Sequence, residues 1–283
     1  MPEDPRSEHE YSPRQVEAAR RVIIDVMQVL ASFNDCLVLV GGWIPELLIE
    51  DADEPHVGSI DVDLALDAAR LNEGRYAKML ELLLATQRYR QGEQPFQFVT
   101  EVDLKDGGVP VVVDVEFLAP KDVKTEKNRP KLIEQFRVLK ADGCSAAFHS
   151  PLSMKLPGRL ISGAENTVQV QVASVPDFRV MKAFALRGRD KPKDAYDLCF
   201  CLDHYSGGIE AIAESWRKQM ADDPDIAEAA AILEEKFASV EAFGPMQVVA
   251  FHDSTDPSNQ EQQSRRAYEL VQRFLTLLGH GPT

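Results

Sequence analysis

Long apolar runs are missing from this 283-residue chain. No stretch approaches the roughly 20 residues that a membrane-spanning helix requires, so no membrane partner is expected. The opening residues, MPEDPRSEHEYSPRQ, are acidic and proline-rich and lack the form of a secretory signal. Cysteine is scarce, with four residues at 36, 144, 199 and 201. That number fits reduced thiols in a cytoplasmic compartment, not a disulfide framework. Cys199 and Cys201 form only a Cys-x-Cys with no second half to complete a zinc site, and they read as small buried apolar residues. The six histidines show no ligand spacing. Positive charge is also in deficit: 31 Lys and Arg face 46 Asp and Glu, for a net charge of -15. Taken globally, that argues against a nucleic-acid partner. The deficit is uneven, however. Residues 121–131 and 179–193 hold eleven of the 31 basic residues and three of the 46 acidic ones, which leaves a local surface for a polyanion.

What is present is ordinary for a globular protein: 44% hydrophobic and 27% charged residues, enough for a sizeable core. Ser12-Pro13-Arg14-Gln15 reads as a capped helix start, with Ser at the N-cap, Pro at N1 and Gln closing a capping box. Val16, Ala19, Val22, Ile23, Val26, Met27 and Leu30 then recur at helical spacing to about Ser32. "CLVLVGG" (36–42) reads as a short buried strand ending in two glycines, and "WIPELLIE" as a helix beginning near Gly42 or Trp43, since Pro45 fits only a first turn. A second amphipathic helix is expected over 70–88. Strands are expected over 96–104 and 109–119, joined by a turn at KDGG, and over 167–173. From Pro176 onward the pattern is helical: about 177–188, 191–204, 208–221, 225–240 and 262–278, with 252–264 a polar linker. The fold class is therefore α+β, a mixed sheet flanked by helices followed by a helical region. The expected division is a core over 1–175 and a helical part over 176–283 that completes the active-site cleft.

The stretch HVGSIDVDLALD (56–67) raises the functional question. Ile60, Val62, Leu64 and Leu66 alternate with Asp61, Asp63, Ala65 and Asp67. The strand at 109–119 repeats the arrangement, with Val111, Val113, Val115 and Phe117 on one face and Val112, Asp114 and Glu116 on the other. Like charges facing one another in a sheet are destabilising, and no Lys or Arg interrupts either segment. A divalent cation resolves the conflict, because Mg²⁺ takes carboxylate oxygens. Two carboxylates two positions apart project about 6.5–7 Å apart along a strand, so Asp61 and Asp63, with Asp114 or Glu116, are candidate ligands for one or two Mg²⁺ ions. A pair of metals about 4 Å apart is a standard device for phosphoryl and nucleotidyl transfer. The Gly41–Gly42 turn that precedes them lets a backbone approach a phosphate.

The order of strand, Gly-Gly, helix, Asp-x-Asp and a later acidic strand resembles the DNA polymerase beta-like nucleotidyltransferase superfamily. Gly41 and Gly42 match the first element, Asp61 and Asp63 the second, and Asp114 or Glu116 the third. The 18 residues between Gly42 and Asp61 exceed the usual spacing and point to a loop insertion at 51–58. A second motif, "VMKAFALRGRDKPKDAYDLCFCL" (180–202), resembles the Lys…Arg-x-Lys-x-Arg-Asp-x-x-Asp region of AbiEii/AbiGii-type toxin nucleotidyltransferases, with Lys193 in place of an Arg. The resemblance covers roughly 35–205. It implies that Lys182 grips the triphosphate of an incoming NTP, with Lys193 beside it, and that Asp194 or Asp197 orients the acceptor or the lysine. Ser59 stands where the family often has Thr and would touch a phosphate. The resemblance implies an Mg²⁺-dependent, pyrophosphate-releasing nucleotidyltransferase, the toxin of a type IV AbiE-like toxin–antitoxin system. Its acceptor would be tRNA or another RNA, or a protein hydroxyl, and a cognate antitoxin would be its partner. Two rival expectations stand beside it: an antibiotic-modifying nucleotidyltransferase and a non-catalytic nucleotide-binding module.

Overall fold

Ser12 caps the first helix as its sequence requires. Its side chain accepts from the Gln15 backbone N–H, Gln15 returns the bond, and Pro13 occupies the first turn of α1, Pro13–Val29. The computed structural model describes residues 5–50, 52–67, 70, 75–121 and 138–279. Of the basic segment 121–131, only Lys121 falls among them; 122–131 lie outside the described residues.

The chain divides into two compact units. One comprises Met1–Tyr11, Ile44–Gly58 and Val175–Thr283; the other comprises Ser12–Trp43 and Ser59–Ser174. In the second unit, α1 is followed by β1 (Leu37–Val40), the start of the short helix α2 (Trp43–Leu48), β2 (Val62–Leu66) and α3 (Arg75–Ala85). Then come β3 (Arg90–Gln91), β4 (Gln97–Val102), β5 (Val111–Pro120), β6 (Leu139–Ala141), β7 (Leu152–Arg159) and β8 (Glu165–Val172). Among the described residues these strands form one mixed sheet in the order β3-β4-β5-β2-β1-β8-β7, with β6 also paired to β5. β1 and β2 are antiparallel, β2 and β5 parallel, and β4 and β5 antiparallel. α1 packs over β5, β7 and β8 through fully buried Val22, Ile23, Ile24 and Val26.

β5 shows why one face turned inward. Val113, Val115 and Phe117 are fully buried, whereas Asp114 and Glu116 on the alternate face are half-buried. A side-chain period of two fixes this separation.

The other unit is helical. It holds α4 (Val175–Gly188), α5 (Pro192–His204), α6 (Gly208–Gln219), α7 (Pro224–Lys236), α8 (Phe243–His252) and α9 (Pro257–Leu278). Several departures from the sequence reading occur. The expected linker at 252–264 is mostly the start of α9, whose Asp256 N-cap accepts from the Ser258 backbone N–H and whose Pro257 sits in the first turn. α8 had no expected helix; its Gly244 and Pro245 lie in the first turn, where proline loses no hydrogen bond. β7 was also unforeseen, because Pro157 and Gly158 interrupt it. It is an edge strand, the place in a sheet where proline is tolerated. Among the described residues, no helix is long and apolar enough to cross a membrane. All four cysteines are free and buried.

Candidate functional site

In the sheet unit, the local chain path explains the position of each acid. β1 ends at Val40, which is paired in register with Asp63. Gly41 then turns with φ of 72°, a left-handed conformation suited to glycine. A Cβ added there would collide with the Asp63 carboxylate, so the bare Gly41 backbone is what gives that carboxylate its place. Two residues on, the Trp43 indole N–H donates to the Asp61 carbonyl at 2.7 Å, tying the start of α2 to the backbone of the Asp-x-Asp. The Ser59 hydroxyl donates to Asp61 Oδ1 at 2.6 Å. Ser59 is itself buried.

The parallel pairing of β2 with β5 sets Asp63 directly beside Glu116, and Val62 beside Val115. Glu116, one of the two candidates for the third acid, thus stands level with Asp63. Asp114 lies one pleat away on the same face, where the register, continued by one residue, would set it level with Asp61. Among the described residues, no three His, Cys, Asp or Glu side chains close into a ready-made metal cage. The donor set is oxygen alone, carboxylate and hydroxyl, which suits a hard divalent cation, and the glycine turn leaves room at Asp63. Burial, aided by Asp63, pushes the thiol of Cys144 up to about 12.

The helical unit holds the second group of sequence-selected residues. Lys182 on α4 reaches Asp194 Oδ1 at 2.6 Å and Asp197 Oδ2 at 2.8 Å. Lys193 contacts Asp197 Oδ1 at 2.7 Å, one helical turn along α5. Asp194 and Asp197 are fully buried, and Lys182 and Lys193 nearly so. Proline in the first turn and the i, i+3 spacing place both carboxylates on one face of α5, toward α4.

Two residues that the sequence reading left without a role complete this cluster. Arg189, from the Arg-Gly-Arg turn, forks onto Asp194 with bonds of 2.7 and 2.9 Å. His56 meets Asp197 Oδ1 through Nε2 at 2.8 Å. Burial alone would lift the Asp194 carboxyl, but Lys182 and Arg189 outweigh it and bring it to about 2. Burial likewise opposes the charge on Lys182, yet Asp194 and Asp197 hold its ammonium above the usual lysine range. Asp197 is held well below the carboxylate range by Lys182, Lys193 and His56 against the same desolvation. Near neutral pH, Lys182 is therefore a charged ammonium set between two charged carboxylates.

The signal for Arg189 was its spacing of five residues from Asp194. His56 had a fainter one: it opens the same twelve-residue stretch as the Asp-x-Asp, but its partner lies 141 positions away.

No curated protein matches the chain. The family model described as "Nucleotidyl transferase AbiEii toxin, Type IV TA system" matches residues 27–278, a span that contains the glycine turn, both acidic strands and the Lys182–Asp197 cluster. The chain belongs to the AbiEii nucleotidyl transferase toxin family of type IV toxin–antitoxin systems.

Proposed function

We propose that the protein is an Mg²⁺-dependent nucleotidyltransferase that moves a nucleoside monophosphate from an NTP to an RNA hydroxyl, with tRNA ends foremost, as the toxin partner of a cognate antitoxin. The observation that carries this reading is the pairing of Asp63 with Glu116 beside the Gly41 turn. Asp61, Asp63 and Glu116, with Asp114 one pleat along, would hold Mg²⁺, as two ions in the fullest form. Bound there, Mg²⁺ would neutralise charge on the phosphates. The Ser59 hydroxyl orients the Asp61 carboxylate, and the Gly41–Gly42 turn would offer backbone N–H groups to a phosphate. Glu116, or Asp114, accepts the proton of the attacking hydroxyl. The acceptor oxygen bonds to the α-phosphorus, the bond from that phosphorus to the bridging oxygen breaks, and pyrophosphate leaves. Within the helical unit, Lys182 is the cation that the sequence motif assigns to the phosphates of a nucleotide, and Asp194, Asp197 and Lys193 fix its position. Catalysis of this kind is mostly positioning and charge neutralisation.

The test incubates wild type and Asp63→Asn with labelled NTPs, Mg²⁺ and bulk tRNA. Label moves to RNA with wild type, and the variant is slower by about 100-fold or more. Label found only on an aminoglycoside would replace the RNA acceptor with a small molecule. NTP binding without transfer to RNA, protein or drug would make the protein a nucleotide-binding module. Growth arrest on induction that Asp63→Ala relieves would support the toxin role.

A further inference from the structure

The His56 side chain has no exposure, and both of its ring nitrogens are committed. The Gly58 backbone N–H donates to Nδ1 at 3.0 Å, so Nδ1 carries no proton. The ring proton therefore sits on Nε2 and donates to Asp197 Oδ1 at 2.8 Å. The ring is held by a stacked contact with Tyr196 at 5.3 Å and an edge contact with Phe200 at 4.9 Å. Burial, reinforced by the Lys193 charge, pushes the imidazole down to about 4, so it stays neutral at working pH. A second ring proton would also point Nδ1–H at the Gly58 N–H. An imidazole locked in one neutral tautomer is no acid–base group. It is a directional donor.

Asp197 divides its oxygens. Oδ1 receives His56 and Lys193, and Oδ2 faces Lys182. We propose that His56 is a positioning residue of the nucleotidyltransferase: its Nε2–H fixes the rotation of the Asp197 carboxylate and so the place of the Lys182 ammonium. Without that donor, Asp197 is free to turn toward the lysines, and Lys182 is drawn away from its phosphate-binding position. The inference rests on the nucleotidyltransferase reading. Asp197 and Lys182 came from the sequence motif, whereas His56 comes from this geometry alone.

Three variants separate the two bonds of the ring. His56→Gln keeps an amide N–H donor for Asp197. His56→Asn keeps an oxygen acceptor for Gly58 and cannot reach Asp197. His56→Leu keeps neither. With labelled NTP, Mg²⁺ and bulk tRNA, the Gln variant is expected within about 3-fold of wild type, and Asn and Leu raise the NTP KM by about 10-fold or more with a smaller change in kcat. A purely structural role would lower Tm in Asn and Leu but leave the KM of the folded enzyme unchanged. Nitrogen-15 NMR of the wild type should show the Nε2–H tautomer, neutral from pH 8 to about 5. An active Leu variant with normal KM, rescue by Asn in place of Gln, or an Nδ1–H tautomer overturns the positioning role. A folded wild type that neither binds nor transfers a nucleotide overturns the nucleotidyltransferase reading instead, and leaves His56 a structural clamp.

Discussion

The carboxylates of the sheet and those of the helices differ in what surrounds them. Asp61, Asp63, Asp114 and Glu116 are half-buried, on segments (59–67 and 109–119) that contain no Lys or Arg. Asp194 and Asp197 are fully buried and meet Lys182, Lys193, Arg189 and His56 within one unit. A charge withdrawn from water needs partners that the fold supplies, because a lone buried ion is prohibitive. A half-buried one keeps access to solvent and can exchange water for a cation. The first arrangement specifies geometry. The second keeps its carboxylates within reach of solvent.

Substitution should expose the contrast most sharply in stability. Asp197→Ala leaves Lys182 and Lys193 buried without their shared carboxylate and should destabilise by about 3–5 kcal/mol. Asp63→Ala removes one of several like charges and should shift stability by about 1 kcal/mol or less. Urea denaturation of both variants measures the difference, and equal losses would erase the distinction between the clusters.

Acid should reveal the same asymmetry in wild type. An unfolded histidine takes its proton near 6.5, while His56 in the fold resists until about 4. Between those values the unfolded chain binds more protons, so stability falls as pH drops from 6.5 toward 4, by about 3 kcal/mol at most. Asp194, held at about 2 against an ordinary 3.8, contributes stability above 3.8 that is lost as pH falls through 2. His56→Gln should flatten the upper limb of a Tm-against-pH curve and spare the lower one.

The smallest effect concerns a charge that fits neither class. Arg179 is fully buried, and none of its three guanidinium nitrogens has a hydrogen-bond partner among the described residues. It lies over the Phe274 ring at 4.0 Å and near Trp216 at 5.5 Å, and burial brings it down to about 10. Arg179→Met should be neutral or stabilising by about 1–2 kcal/mol by calorimetry. A large loss would mean that the stacked cation contributes more than its desolvation removes.

Much of this architecture was legible because local chemistry dictates it. Ser12, Pro13 and Gln15 announce α1, and alternation separates Val113 and Val115 from Asp114 and Glu116. Gly41 marks the turn against Asp63. What stayed hidden depends on distant partners. α8 is apolar nearly all round and so carries no helical stripe, and its Gly244 and Pro245 mimic a loop. The rank of Glu116 over Asp114 beside Asp63 follows from a register between strands 50 residues apart, which no periodicity encodes. His56 looked like an isolated histidine because Asp197 reaches it only through tertiary packing.

Residues 44–58 leave the sheet unit after Trp43 and return to it at Ser59, yet they group with helices that begin at Val175. On the ribosome, this excursion must wait unpaired while more than a hundred further residues are made. At about 5–20 residues per second, the delay is several seconds or longer. A message cut short before α4 therefore yields a polypeptide whose His56 has no Asp197 to meet. The threading of the chain thus ties this excursion to residues made only after the whole sheet unit.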